Sequence, residues 1–338
     1  VPVPTTGAGA DKCPELAGGD TKLPFSGPLA YPVRRSAVTT PSPSDPQLAD
    51  ARRYLAMAAQ HYENFPVGSW LLPKRARLHL HRVYAFARTA DDLADEHRDA
   101  AGLAAFRADF LAHLDGSRRD VPLFVDLAAT LRECELPPSL CTDLLDAFDQ
   151  DLTCRRYDEP ALYDYCRRSA DPVGRIVLRV CGYRSDALDA LSDRICTALQ
   201  LLNHLQDLGE DLRERDRIYF PLEDLARFGV NEADLLAPHA NAAVRALVGH
   251  WSRRLAADFA AGWELCDRVN GRLRFELRAI VRGAGAVLAR IAAVDGDVLG
   301  GRVHLTKRER LGTVLAALAT SRAPRWRSVP APLAEASA

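Results

Sequence analysis

Lysine is nearly missing from this 338-residue chain: only Lys12, Lys22, Lys74 and Lys307 occur among its 44 basic residues. The other cations are Arg, and because Ala, Leu and Asp are also abundant the skew reads mainly as genome composition. Arg still brings a planar fork that suits phosphate oxygens. Excess charge is lacking as well. A formal net charge of −1 gives no bulk field that would draw the chain to nucleic acid. The eight Cys, at 13, 134, 141, 154, 166, 181, 196 and 266, include no C-x-x-C pair and no zinc spacing. They read as reduced, buried thiols of a cytoplasmic protein in preference to disulfides. The N-terminal stretch lacks the basic start and apolar core of a signal peptide. The most apolar late run, Ala284 to Val294, is short and carries Arg290, so no membrane span is expected. Peripheral contact with the inner face of a membrane stays open. P-loop and G-x-G-x-x-G nucleotide fingerprints are absent, as are period-2 alternation, hairpin signals and fixed-period repeats.

What is present is helical patterning. Apolar residues make up 48% and charged residues 26%, so the chain can bury a large core and stay soluble. Residues 1–45 are rich in Pro, Gly, Thr and Ser and read as an extended or disordered leader. Asp45-Pro46 is a helix start, opening a segment to about Tyr62. Pro73 starts the next, and further amphipathic segments are expected near 100–114, 122–134 and 139–152. Pro160 opens another, which meets Ala170-Asp171-Pro172-Val173-Gly174; a Pro and a Gly there predict a kink or break. Such a break is either a plain helix junction or a place where backbone faces a ligand. Helical pattern resumes over 186–212. A charged loop, Arg213 to Pro221, leads to short helices over 222–236 and long ones near 241–268, 272–294 and 306–320. The expected fold is all-α, one bundle of ten or more helices over 46–322, with a loose tail over 323–338.

Two polar stripes stand out against this pattern. At about 100° per residue, Tyr84, Arg88, Asp91 and Asp95 fall within roughly 60° of one another on a helix. Gln200, Asn203, Asp207 and Asp211 span roughly 80°. Either stripe alone fits a solvated or salt-bridged face. Two of them, both flanked by apolar residues such as Val83, Phe86, Leu201 and Leu205, predict acidic faces inside a bundle. Carboxylates gathered in a poorly solvated cavity repel unless cations join them. Mg²⁺ takes one or two protein carboxylates each, plus phosphate oxygens and water, so facing stripes suit Mg²⁺ ions holding a diphosphate. A dinuclear iron bundle would need a Glu-x-x-His motif, which is missing. His204 is read as a packed histidine off the stripe.

These motifs resemble the head-to-head trans-isoprenyl diphosphate synthases, the squalene and phytoene synthase family, over roughly residues 45–312. Asp91 and Asp95 match its first aspartate motif; Asn203, Asp207 and Asp211 match its second. Tyr84, Arg88, Tyr165, Gln200 and Tyr219 fall where the family places substrate-pocket residues, and Asp297-Val298-Leu299 with Arg302 resembles its closing pattern. Three stretches look most like the bacterial hydroxysqualene-forming branch of the hopanoid route: His61 to Val67, Phe86 to Asp92, and Tyr165 to Arg175. Gln206 stands where presqualene-forming relatives usually carry Arg. The chain departs from the branch at Asn203-His204-Leu205-Gln206, where Asn-Phe-Trp-Gln is commoner.

The resemblance implies an isoprenoid-synthase bundle with a central cavity. It also implies Mg²⁺ at Asp91, Asp95, Asn203, Asp207 and Asp211, and an isoprenoid diphosphate substrate. The implied reaction turns presqualene diphosphate and water into hydroxysqualene without NADPH. It couples the chain to a presqualene diphosphate synthase and a hydroxysqualene reductase. Phe65, Tyr84 and Tyr165 are candidates to face a carbocation and Arg88 to bind diphosphate. Arg217 and Arg302 are weaker diphosphate candidates, for which surface salt bridges are the plainer role. The alternatives are squalene or phytoene formation, or a non-catalytic helical partner of such a synthase.

Overall fold

Pro73, at φ −57° and ψ 147°, holds the chain extended just ahead of the first helix of the computed structural model, which describes residues 72–326. The leader over 1–45, the helix expected from Pro46 to Tyr62, Phe65 with its flanks, and the chain beyond 326 lie outside the described residues. The first half of the fold comprises α1 (Lys74–Asp91), a π-helical turn (Asp92–Glu96), α2 (Ala100–Leu114), α3 (Pro122–Glu133), α4 (Ser139–Thr153), α5 (Glu159–Ser169) and α6 (Asp171–Val180). The second half comprises α7 (Asp186–Gln206), α8 (Leu208–Arg215), α9 (Leu222–Phe228), α10 (Glu232–Leu236), α11 (Ala242–Gly262), α12 (Glu264–Arg268), α13 (Gly271–Ala293) and α14 (Lys307–Ala319). No strand occurs among the described residues; one isolated bridge joins Arg156 to Ile218.

The core follows from apolar spacing. On α1, Ala76, Leu80, Val83, Phe86 and Ala90 are buried, a three-four repeat that makes one face apolar. Phe86 meets Phe110 of α2 and Phe124 of α3 with ring centroids 4.8 Å and 6.5 Å apart. Burying one such ring contributes about 1.5–3 kcal/mol. Helix α7 runs through the middle, packed on α6 and α11. Two glycines allow that proximity. A Cβ on Gly262 would sit 2.5 Å from Ile195 Cγ1, and one on Gly174 would collide with Ser192 Oγ and Cys196 Sγ.

Several continuous patterns are broken in the structure. The expected break after Pro160 falls at Ala170, where α5 yields to α6. The segment near 241–268 divides at Trp263, directly after Gly262, a poor helix former. The stretch over 186–212 divides at Asp207, at φ −101° and ψ 10°. Cys134, Cys141, Cys166, Cys181, Cys196 and Cys266 are free thiols. Cys154 is disulfide-bonded, correcting the expectation of a reduced thiol there. It caps α4 in extended backbone, at φ −80° and ψ 126°, outside the helix interior on which that expectation rested.

Candidate active site

The carboxyl end of α1 and its π-helical turn present Tyr84, Arg88, Asp91 and Asp95 to a cavity of about 740 Å³. Across it, α7 and α8 present Gln200, Asn203, Asp207 and Asp211. Tyr165 enters from α5, and Arg217, Tyr219 and Arg302 from the loops. Every site residue predicted between Tyr84 and Arg302 therefore lines one cavity; Phe65 lies outside the described residues. The two stripes face each other.

Local backbone explains the loop contributions. Asp216 adopts the left-handed conformation (φ 54°) and ends α8. Arg156 holds that turn, donating from Nη1 to Asp216 O at 2.6 Å and from Nη2 to its carboxylate at 2.9 Å. The next residues run back along the end of α4: Ile218 N donates to Arg155 O at 2.9 Å and Leu222 N to Tyr157 O at 3.0 Å. This pins Arg217 and Tyr219 inward. Arg217 is only 4% exposed, so it is no surface salt bridge. Its Nη2 donates to Asp95 Oδ1 at 2.9 Å and to Asp151 O at 2.6 Å. Arg302 does sit at the rim, partly exposed, but it is committed to the cavity: its Nη2 donates to Asp207 Oδ2 at 3.0 Å.

The remaining carboxylates are also countered by guanidinium groups. Arg88 reaches Asp91 at 2.9 Å and Asp92 at 2.7 Å. Arg215 spans the two stripes, 3.2 Å from Asp211 and 3.7 Å from Asp95. Burial still weighs on the acids. It pushes Asp91 up to about 6, aided by Asp95 and opposed by Arg88. Asp207 likewise rises to about 6 through burial, opposed by Arg302. These are carboxylates that a bound cation would relieve.

Sequence reasoning missed three titratable lining groups. Asp151 is buried on α4, pushed up to about 7 by burial against the pull of Arg217. It accepts from Tyr165 OH at 2.8 Å and from Tyr219 OH at 3.3 Å. Nothing in the helical period singles it out. Arg215 follows Asp211 by four residues, so one more turn of the second stripe would have found it. His204, expected as a packed histidine, lines the cavity: its ring stacks on Tyr219 with centroids 3.6 Å apart, and Nε2 is 3.3 Å from Gln200 Nε2. Four residues from Gln200, it shares the stripe's sector.

Away from the acids the lining turns apolar. Tyr84, Ala87, Ser169, Gln200 and Asn203 also border a second cavity of about 230 Å³, walled by Leu80, Val83, Leu144, Val173, Ile176 and Leu199. Leu80, Cys196 and Leu199 then lead to a third, of about 80 Å³, between α6, α7 and α13. Charge at one end and hydrocarbon at the other suit an amphiphile with a charged head.

Among the described residues no three His, Cys, Asp or Glu side chains form a metal centre by themselves. Oxygen donors in pairs, Asp91 with Asp95 and Asp207 with Asp211, nevertheless fit Mg²⁺, which completes its shell with phosphate and water. The squalene/phytoene synthase family model matches residues 58–309. Hydroxysqualene synthases of Sinorhizobium fredii and Zymomonas mobilis are 35% and 37% identical, covering 79% and 76% of this chain and 92% and 87% of theirs. A crystal structure of squalene synthase HpnC from Alicyclobacillus acidocaldarius superimposes with a TM-score of 0.68 at 37% identity, over 74% of this chain and 95% of that one. The chain belongs to the squalene/phytoene synthase family and is an isoprenoid synthase enzyme of the squalene type.

Proposed function

We propose that the enzyme converts presqualene diphosphate and water to hydroxysqualene and diphosphate. The observation that carries this reading is the continuity of the cavities, in which facing acidic and guanidinium groups give way within one layer of side chains to apolar walls. Asp91, Asp95, Asn203, Asp207 and Asp211 would hold Mg²⁺, which when bound neutralises the diphosphate as a leaving group. Arg88, Arg217 and Arg302 supply charge-assisted hydrogen bonds to the departing anion. The C–O bond breaks with both electrons going to diphosphate. The cyclopropylcarbinyl cation left behind rearranges and opens beside the ring faces of Tyr84 and Tyr165, which stabilise positive charge. Water adds to the allylic cation and loses a proton. Replacing a C–O bond to phosphate by one to hydroxyl changes no oxidation level, so NADPH is not required.

The similarity to two hydroxysqualene synthases, Gln206 and the stretch from Tyr165 to Arg175 favour this product within the family. On this reading a presqualene diphosphate synthase supplies the substrate and a hydroxysqualene reductase consumes the product. The enzyme would work in the cytoplasm, in peripheral contact with the inner membrane face; among the described residues no helix is long and apolar enough to cross a membrane. The test is incubation of purified protein with presqualene diphosphate and Mg²⁺ without NADPH, with lipid products identified by mass spectrometry. Hydroxysqualene is expected. Inertness toward that substrate, with turnover of farnesyl or geranylgeranyl diphosphate instead, would reassign the enzyme to squalene or phytoene formation.

A further inference from the structure

Helix α14 leaves three leucines in solvent: Leu311, Leu315 and Leu318 are 59%, 56% and 44% exposed. Spaced i, i+4, i+7, they form one stripe. The opposite side is already occupied. Ala317 is buried, Arg290 Nε of α13 donates to Glu309 Oε1 at 3.0 Å, and Arg282 reaches Thr320 O at 3.5 Å. A helix anchored on one face and apolar on the other has a second surface to cover. Charge frames the stripe: Lys307 and Arg308 at its start and Arg322 and Arg325 beyond its end are all exposed. The only acid over 307–326, Glu309, is tied to Thr306 and Arg290.

The helix also starts close to the cavity mouth. Arg302 lines that mouth, Val303 O accepts from Gln206 Nε2, and α14 starts five residues after Arg302, at most roughly 18 Å of chain. We infer that this face of α14 seats the enzyme on an anionic bilayer, leucines at the acyl boundary and the four cations among lipid phosphates. The inference rests on the proposed isoprenoid diphosphate substrate, an amphiphile that itself resides in a leaflet. Charge complementarity selects a bilayer over a second copy: two-fold pairing of the stripes would set the cations of one protomer against those of the other.

The experiment sediments the full-length protein with vesicles of phosphatidylcholine alone and of phosphatidylcholine with phosphatidylglycerol. Binding is expected on the anionic vesicles, at least about tenfold weaker on the neutral ones, and weakened by salt. Leu311→Glu with Leu315→Glu should lower anionic-vesicle binding at least about tenfold, while turnover of detergent-dispersed presqualene diphosphate stays within about twofold. Wild-type protein that ignores lipid charge, or a double variant that binds as wild type does, overturns the inference. So does a double variant that dissociates a dimer in analytical ultracentrifugation with vesicle binding unaltered. Charge-dependent vesicle binding lost in the double variant, together with no detergent turnover by wild type, would uphold the surface and count against the reaction alone.

Discussion

The two acidic segments reach the same cavity by different backbone devices. On α1 the helix widens: residues 92–96 form a π-helical turn, and Asp95 sits within it. On the facing side the helix bends: Asp207 separates α7 from α8, yet Asp207 N still donates to Asn203 O at 3.0 Å and Asp211 N to Asp207 O at 2.8 Å. A π-helical turn adds a residue to the helical turn, and a bend re-aims the helix on its far side. Each places a second carboxylate where a straight α-helix would not have left it. The acids also differ in their cations. Asp95 is held by Arg217 from the interior, whereas Asp207 is held by Arg302 from the rim.

If both segments serve one metal-diphosphate site, Asp91→Ala and Asp207→Ala should each lower turnover by roughly 10³-fold, several kcal/mol of lost charge stabilisation. Far-UV circular dichroism should be unchanged. Near-normal turnover in one variant but not the other would break the symmetry of the two sides. The cations should divide unequally instead. Arg217→Ala leaves Asp151 and Asp95 without their buried partner and should cost about 3–5 kcal/mol in urea unfolding. Arg302→Ala, at the rim, should cost no more than about 1 kcal/mol. Equal costs would show that interior and rim are not distinct. Gly174→Ala, which pushes a methyl into Ser192 and Cys196 at the apolar end, should destabilise by about 1–3 kcal/mol in the same assay and slow turnover.

The smallest expected effect concerns pH. Asp91 and Asp207 have folded-state values near 6, above their ordinary 3.8. Their contribution to stability is therefore greatest below pH 4 and is lost as pH rises through about 6. A cation that binds only the ionised pairs should offset that loss. Mg²⁺ with inorganic diphosphate should thus raise the melting temperature by a few degrees more above pH 7 than below pH 6. An equal rise on both sides would remove these aspartates from the binding step.

Much of this architecture is legible because helices repeat themselves. Ser139–Thr153 begins and ends within a residue of where its periodicity does, and the two acidic stripes appear on a helical wheel. The π-helical turn is not legible, since Asp-Leu-Ala-Asp-Glu is ordinary helical composition and only tertiary packing widens it. Nor is the burial of Arg217. Arg-Glu-Arg-Asp-Arg reads as a solvated loop, and what draws it inward is pairing with Arg155–Tyr157, some sixty residues earlier and invisible to any local period. His204 escapes for a simpler reason: the wheel sets it just beyond Asp211, at the edge of the stripe, where a packed histidine is the plainer reading.

Tyr84, Ala87, Ser169, Gln200 and Asn203 belong to both the charged cavity and the apolar one, so the border between two very different media is one side chain thick. A liquid interface of that sharpness would ripple; here it is fixed by covalent bonds and packed helices. On the proposed chemistry, a molecule split at that border has its halves in different solvents. The anion stays in the medium that hydrates ions, and the hydrocarbon fragment stays in the one that repels them. Recombination would require either half to enter the wrong phase.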